Sequence, residues 1–475
     1  MYDAIYDAIV VGSGPNGLAA AITIARTGFR VLVLEAADTP GGGARTMELT
    51  LPGFRHDVCS ALHPLAVGSP FLSTLPLDEH GLEWIHPRYP VAHPLDGGGA
   101  ALLYRDVDAT ANALDNDARA YRRLMSPLVR DWDKIARGAL GPARLPRNPV
   151  AMVRFGLKAI QSARGLADAW LRTDKARALF AGIAAHSVTP LEFRGSAAAG
   201  LVLQIAGHAV GWPMPRGGAQ TITNAMVSYL QALGGEVVTG ERVRSLDELP
   251  RSRVVLLDIG ARQLAQIGSD RLPQRYRRRL DAFQYGPGVF KMDWALDAPI
   301  PWTAAECAGA GTVHLGGTLE EIADAESAIW RGEHPERPFV LLAQPTMFDN
   351  GRAPDGKHIA WAYCHVPNGS DFDMSERIEA QIERFAPGFK RRILARSVMS
   401  PSDVQAYNAN YVGGDIGGGA NTLRQLFARP ASAFAPYRTP IDGVYLCSAS
   451  TPPGAGVHGM CGYWAAREAL KRMGR

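Results

Sequence analysis

The chain lacks any uninterrupted apolar run of about 18 residues, the length a membrane-spanning helix needs. Its longest candidate, residues 195–210, is interrupted by Gln204 and His208. Cysteine is scarce: Cys59, Cys307, Cys364, Cys447 and Cys461 form an odd, scattered set without a CxxC or CxxxxC pair. That pattern fits reduced cytosolic thiols and argues against disulfide-reductase chemistry. Neither Cys364-His365 nor Cys461 near His458 has convergent spacing for a closed metal site, so no metal is expected. Charge of either sign is not in excess; the net +4 gives no electrostatic reason for nucleic-acid binding. Met1-Tyr2-Asp3 leads into a strand with no basic n-region, which predicts no secretory signal and a cytoplasmic location. GxSxG, HExxH and P-loop motifs are absent, as are internal repeats and low-complexity tracts. At 475 residues and 47% hydrophobic, the chain is long enough for two or three domains with a large core.

The richest local signal is Gly12-Ser13-Gly14-Pro15-Asn16-Gly17. Asp7–Val11 before it reads as a buried strand, residues 18–27 after it as a helix, and Arg30–Glu35 as a second strand ending in an acid. Gly12 permits the tight turn, Gly14 lets a pyrophosphate approach the backbone, and Gly17 allows close helix–strand packing. The helix N-terminus offers unpaired N–H groups to phosphate. Glu35, with Ala36 beside it, is placed to accept a ribose hydroxyl. The unit as a whole predicts dinucleotide binding. Gly413–Gly419 is also glycine-rich, but no buried strand precedes it, and it reads as a loop.

A second cluster, Gly41-Gly42-Gly43-Ala44-Arg45, follows the second strand, where backbone and a cation can reach the far half of an extended cofactor. Near the other end, Gly443–Cys447 reads as a strand entering Ser448–Met460, a glycine-rich turn before a helix over 460–471. In between, Pro215-Arg216-Gly217-Gly218 precedes a helix over 220–233 and a strand over 235–243. This order resembles the FAD-binding amine oxidase and phytoene dehydrogenase superfamily, including a mitochondrial branch named for a pyridine nucleotide-disulfide oxidoreductase domain. The resemblance implies FAD, with adenine near Val243 and the isoalloxazine near Arg45, Gly456 and Val457; Ser448, His458 and Met460 belong to the same turn. Two departures stand out. Gly43-Ala44 intervene before Arg45, where phytoene desaturases usually have arginine directly after the paired glycines. Cys447-Ser448-Ala449-Ser450 also lacks their glycine. With Tyr285–Lys291 and Trp361–Pro367, these features resemble the broader related group rather than carotenoid desaturases.

The landmarks predict an α/β fold: a discontinuous Rossmann-like FAD-binding domain, a mixed α+β substrate domain and a helical insertion. Residues 1–80, 212–262 and 430–475 form the first, with Arg253–Asp258 as a further buried strand. Residues 81–104 and 263–429 form the second, with an antiparallel sheet over 285–425. Residues 105–211 form the third. Within it, residues 144–177 carry eight Lys/Arg against two Asp, interleaved with apolar residues. Such a segment suits an anionic membrane interface, or is a solvated face whose apolar side is core, with Gly156 and Gly165 interrupting the helix. Arg275–Arg279 reads as an exposed helix end.

An oxidised flavin takes two electrons from a substrate, commonly as hydride at N5, and a base must accept the second hydrogen if a double bond forms. His365 beside Tyr363, and His208, are the candidates for that base; each reads first as a hydrogen-bonded core histidine. His458 is expected to shape the glycine turn. Trp212, Tyr285, Trp294, Trp302 and Trp361 are available to wall an apolar pocket or to pack the core. The leading reading is an FAD-dependent dehydrogenase or desaturase of a hydrophobic small molecule, with oxygen, a quinone or another electron acceptor. The alternatives are a redox-neutral isomerase of a polyene or isoprenoid that uses reduced flavin, and a flavoprotein whose main role is partner binding. Oligomeric state is not set by the sequence.

Overall fold

The computed structural model describes residues 6–268, 270–432 and 434–474, so the Met1–Asp3 opening lies outside the described residues. Strand β1 (Ala8–Val11) runs into helix α1 (Pro15–Ala25), and β2 (Val31–Leu34) follows. The helix starts three residues earlier than expected because Pro15 occupies its first turn, where a missing N–H leaves no bond unmade. Helix α2 (Gln220–Ala232) leads to β3 (Glu236–Val238) and then β4 (Val254–Leu257). The chain returns at its end with β5 (Val444–Leu446) and α3 (Met460–Arg472). These strands form one parallel sheet in the order β5-β4-β1-β2-β3. The all-apolar runs AIVV, VLVL and VVLL are what a sheet covered on both faces requires. Strand β3 is shorter than the expected 235–243, because Gly240 turns the chain at φ +74°. Beyond that turn the Glu241 N–H still donates to the Glu35 carbonyl at 2.8 Å, carrying Val243 past the end of β2.

A second sheet has seven strands, in the spatial order Ile393–Met399, Gly288–Leu296, His358–Val366, Val340–Ala343, Ala310–Leu315, Tyr89–Pro94 and Ala100–Leu103. It is mixed rather than antiparallel, because Ala310–Leu315 pairs in parallel with Tyr89–Pro94, which draws two strands from outside 285–425 into the sheet. The register Val289↔His365, Lys291↔Tyr363 and Asp293↔Trp361 puts these six side chains on one face.

Helices run from Val107–Ala113 to Ala197–Ala209. The basic segment contains three of them, Pro149–Ala159, Ala163–Trp170 and Asp174–Ala184. Gly156 and Gly165 lie inside helices and do not break them. The break falls at residues 160–162, where the Ser162 side chain accepts the Gly165 N–H at 3.0 Å and caps the next helix. Arg275–Arg279 forms the body of the short helix Gln274–Asp281 rather than its end. No helix among the described residues is long and apolar enough to cross a membrane.

Candidate cofactor and substrate site

The turn between β1 and α1 is built by contact. Gly12 takes φ +98°, and a Cβ on Gly17 would lie 2.0 Å from the Gly12 carbonyl oxygen, so helix and strand can approach this closely only without one. Helix α3 presses on α1 in the same way: a Cβ on Gly462 would stand 1.7 Å from the Asn16 oxygen. The adjoining β4 is followed by Asp258, whose Oδ2 accepts the Gly17 N–H at 2.9 Å and would meet a Cβ on Gly14 at 2.8 Å. Burial, with a smaller contribution from the nearby Glu35 charge, pushes the Asp258 carboxyl up to about 7. Asn16 is buried beside it with its Oδ1 unpartnered.

Glu35 stands at the tip of β2 as expected. Its Oε2 accepts from the Ser13 N–H (2.8 Å) and hydroxyl (2.6 Å), while Oε1 accepts from the Ala37 N–H at 2.9 Å and lies 3.3 Å from Arg45 Nη2. Ala36 beside it is exposed. Arg45 is buried, donates to the Thr39 carbonyl at 2.7 Å, and lies over the Tyr407 ring at 5.5 Å. Gly41 and Gly42 both have positive φ in the loop before it, and Ala44 is buried. Val243 packs partly buried on the cluster containing Leu34 and Val11. At the opposite end of the chain, Gly456 takes φ +125° in the turn entering α3. His458 closes that turn: its Nδ1 accepts the Met460 N–H at 3.0 Å, its carbonyl accepts Ser69 Oγ at 2.7 Å, and its Nε2 is buried without a partner. Burial holds this imidazole down at about 4, hence neutral. Ser448 and Met460 are buried and Val457 half-buried. The Gly413–Gly419 loop folds around Asp415 and caps this region, with Ser450 Oγ donating to the Gly418 carbonyl at 3.0 Å.

A narrow cleft lies against the seven-stranded sheet. Cys59, Lys291, Tyr363, Met399, Tyr407 and Tyr411 are among its walls. Tyr407 donates to the Gly42 carbonyl at 2.8 Å, and a Cβ on Gly43 would lie 2.0 Å from the Tyr411 hydroxyl. Burial raises both phenols, Tyr407 to about 12, so both stay neutral donors. Lys291 is fully buried and bonded to Asp293, which also lies 3.4 Å from His56 Nδ1.

Of the expected bases, Tyr363 lines this cleft and His365 stands next to it on the same face, ring centroids 5.7 Å apart. His365 Nδ1 is engaged by both oxygens of the buried Glu326, at 2.8 and 3.0 Å, leaving Nε2 buried and unpartnered. This carboxylate fixes the tautomer and orients the ring, as a general base requires. His208 is used otherwise: Tyr121 Oη at 2.6 Å and the Arg105 carbonyl at 3.0 Å take both its nitrogens inside the helical unit. Trp294 packs in the core on Phe389, and Trp361 lies nearest the cleft, 6.0 Å from Lys291 Nζ. Asp258, Glu326, Lys291, Tyr407 and Tyr411 went unnoticed in the sequence. Only Lys291 and Asp293, two charges inside the apolar run VFKMDWAL, carried a visible signal. Among the described residues no group of three His, Cys, Asp or Glu side chains is placed to hold a metal ion, and all five cysteines are free.

The glycine cradle at Gly14 and the N–H groups of the helix N-terminus fit an anionic diphosphate. Comparisons agree. Residues 10–69 match the NAD(P)-binding Rossmann-like domain family. The chain is 27% identical to pyridine nucleotide-disulfide oxidoreductase domain-containing protein 2 of Rattus norvegicus, over 97% of this chain and 92% of that protein. It is 26% identical to the neurosporene-forming phytoene desaturase of Rhodobacter capsulatus, over 96% and 92%. Among solved structures, an oxidoreductase from Methanosarcina mazei superposes with a TM-score of 0.66 at 16% identity, covering 98% of this chain and 99% of that one. Putrescine oxidase bound to putrescine gives 0.64 at 19% identity, covering 99% and 100%.

Proposed function

We propose that the chain is an FAD-dependent member of the phytoene desaturase and amine oxidase superfamily, a dehydrogenase or desaturase acting on C–H bonds of a hydrophobic small molecule. Bound FAD would supply a hydride acceptor at N5, later reoxidised by oxygen, a quinone or another acceptor. In this reading Gly12–Gly17 cradle the pyrophosphate, Glu35 and Ala36 face the adenosine ribose, and Val243 flanks the adenine. Gly42, Gly43 and Ala44 border the cofactor's middle, and Arg45, Ser448, Gly456, Val457, His458 and Met460 enclose its flavin end.

One observation carries the reading. A largely apolar cleft is walled by Tyr407 and Tyr411, which contact the Gly42-Gly43 loop, and by the buried side chain of Lys291. Apolar walls select an apolar substrate and exclude water. Lys291, paired with the Asp293 carboxylate, places a buried polar donor at the wall of that cleft. His365, its Nδ1 held by Glu326 and its ring beside the cleft-lining Tyr363, would act as the base for the carbon next to the hydride donor. Anaerobic titration with carotenoids, isoprenoids, acyl lipids, steroids and amines tests this through the oxidised-flavin band near roughly 450 nm. Bleaching by one apolar class is the expected result. Bleaching by amines alone, or folded protein without flavin, would overturn it; a flavin that stays oxidised throughout would favour the isomerase.

A further inference from the structure

Four Lys or Arg side chains are buried among the described residues, and three of them have an acid in contact. Arg45 lies 3.3 Å from Glu35, Arg352 lies 3.0 Å from Asp57, and Lys291 is bonded to Asp293. The fourth, Arg429, is 1% exposed, and among the described residues no carboxylate bonds to it. Its partners are neutral. Nη2 donates to the Gly419 carbonyl at 3.0 Å, Nη1 reaches Asn421 Oδ1 at 3.5 Å, and Nε is buried without a partner. The charge of Asp415 is felt at Arg429, but the Asp415 oxygens accept from the backbone N–H groups of Gly286 (2.8 Å), Gly417 (2.7 Å) and Gly419 (2.9 Å). Cys461 is the other titratable neighbour, and burial pushes its thiol up to about 12, leaving it neutral. A guanidinium does not shed its proton in a protein, so Arg429 is a fixed, uncompensated charge.

Its surroundings point to the anion it meets. A Cβ on Gly454 would lie 2.5 Å from Arg429 Nη1, so the guanidinium packs on the backbone of the turn that leads through Gly456 into α3. The positive end of the α3 dipole follows that turn. Arg429 does not line the cleft, so a substrate anion held there would not touch it. Hydride arrival gives an isoalloxazine two electrons and one proton, and so one net negative charge. A fixed cation in a low-dielectric interior stabilises that charge more than it stabilises the neutral oxidised ring. We infer that Arg429 is the buried counter-charge for the reduced flavin and raises the midpoint potential of the cofactor without touching substrate. The inference rests on the reading of Gly456 and Val457 as part of the enclosure of the flavin end. Asp415 acts in the opposite direction, as a nearby anion must.

The test is an equilibrium redox titration of the purified holoprotein with dithionite and an indicator dye, at about pH 8, where carboxylates are ionised. Arg429→Gln should lower the midpoint potential by about 30 mV or more, a tenfold or greater loss of preference for reduced over oxidised FAD. Arg429→Lys keeps the charge and should restore most of the difference. Asp415→Asn removes the opposing charge and should raise the potential. A structural disturbance would not give shifts of opposite sign. Coincident potentials in Arg429→Gln and wild type, or a fall of equal size in all three variants, would overturn the inference. If Arg429→Gln does not fold, Asp415→Asn decides: a raised potential upholds the inference, and an unmoved or lowered one overturns it. Purified wild type without flavin would overturn the functional reading itself, whereas bound flavin with unmoved potentials removes only the role of Arg429.

Discussion

Asp258 puts a carboxyl where a diphosphate should lie, and its ionisation then controls how the site behaves. Its ordinary value is near 4, and burial raises it to about 7. Glu35 on β2, Cys447 after β5 and Cys461 on α3 are the titratable groups coupled to it, and none is a cation that would favour the charged form. A raised carboxyl value means the folded chain holds the proton more tightly than the unfolded one. The stabilisation is complete below about pH 4 and is lost as pH rises through about 7. Phosphate charge beside it would hold the proton more firmly still. FAD affinity should therefore weaken between pH 6 and 8 in the wild type, and Asp258→Asn should flatten that dependence, as fluorescence titration of FAD into cofactor-free protein would register. An equal slope in both proteins would remove Asp258 from the site. Nothing in the sequence announced this role. The glycines of the turn are legible because each answers a local constraint, whereas Asp258 reads simply as the last residue of a buried strand, and its meaning appears only when β4 lies beside β1.

At the level of elements, alternation and apolar runs located most strands but not their partners. A sheet over 285–425 is legible in the sequence, but the register of His358–Val366 against Gly288–Leu296, which gathers Lys291, Tyr363 and His365 on one face, depends on pairing across some seventy residues of chain. Strand β3 was overextended because Val243 looks like part of an apolar alternation, while the left-handed Gly240 that ends the ladder is ordinary in a sequence. Glu326 was hidden for a similar reason: on helix Leu319–Trp330 it reads as one more surface acid, although it is buried against His365. The helix–strand pairing of Glu326 with His365 implies a positional test. Glu326→Gln leaves an amide that cannot stabilise an imidazolium, so the rate of flavin reduction by substrate should fall about a hundredfold. Flavin binding should be unaltered, and the rising limb of the pH–rate profile should move. Glu326→Asp should restore part of the rate. A loss confined to protein stability, with the pH profile unchanged, would make the pair structural.

The whole molecule is organised around a cofactor site assembled from pieces far apart in the chain. Strands β1 and β2 come from its start, β3 and β4 from its middle, and β5 with α3 from its end. The helical unit between them was evident from composition, but which of its faces would stay uncovered was not, since Phe155 and Leu157 are equally apolar and only packing separates them. A site of this construction has a consequence for binding energy. A ligand that binds only when all three segments are in place stabilises their assembly, by about 2.7 kcal/mol at a hundred times its Kd. Hydrogen exchange should therefore show FAD protecting three separate stretches together, around Gly12–Gly17, Val238–Val243 and Ser448–Met460. The interior of the helical unit around Tyr121 and Ile135, which supplies none of these stretches, should be unchanged. Protection limited to the first seventy residues would mean that the matched Rossmann segment binds the nucleotide alone and that the C-terminal turn does not close on the cofactor.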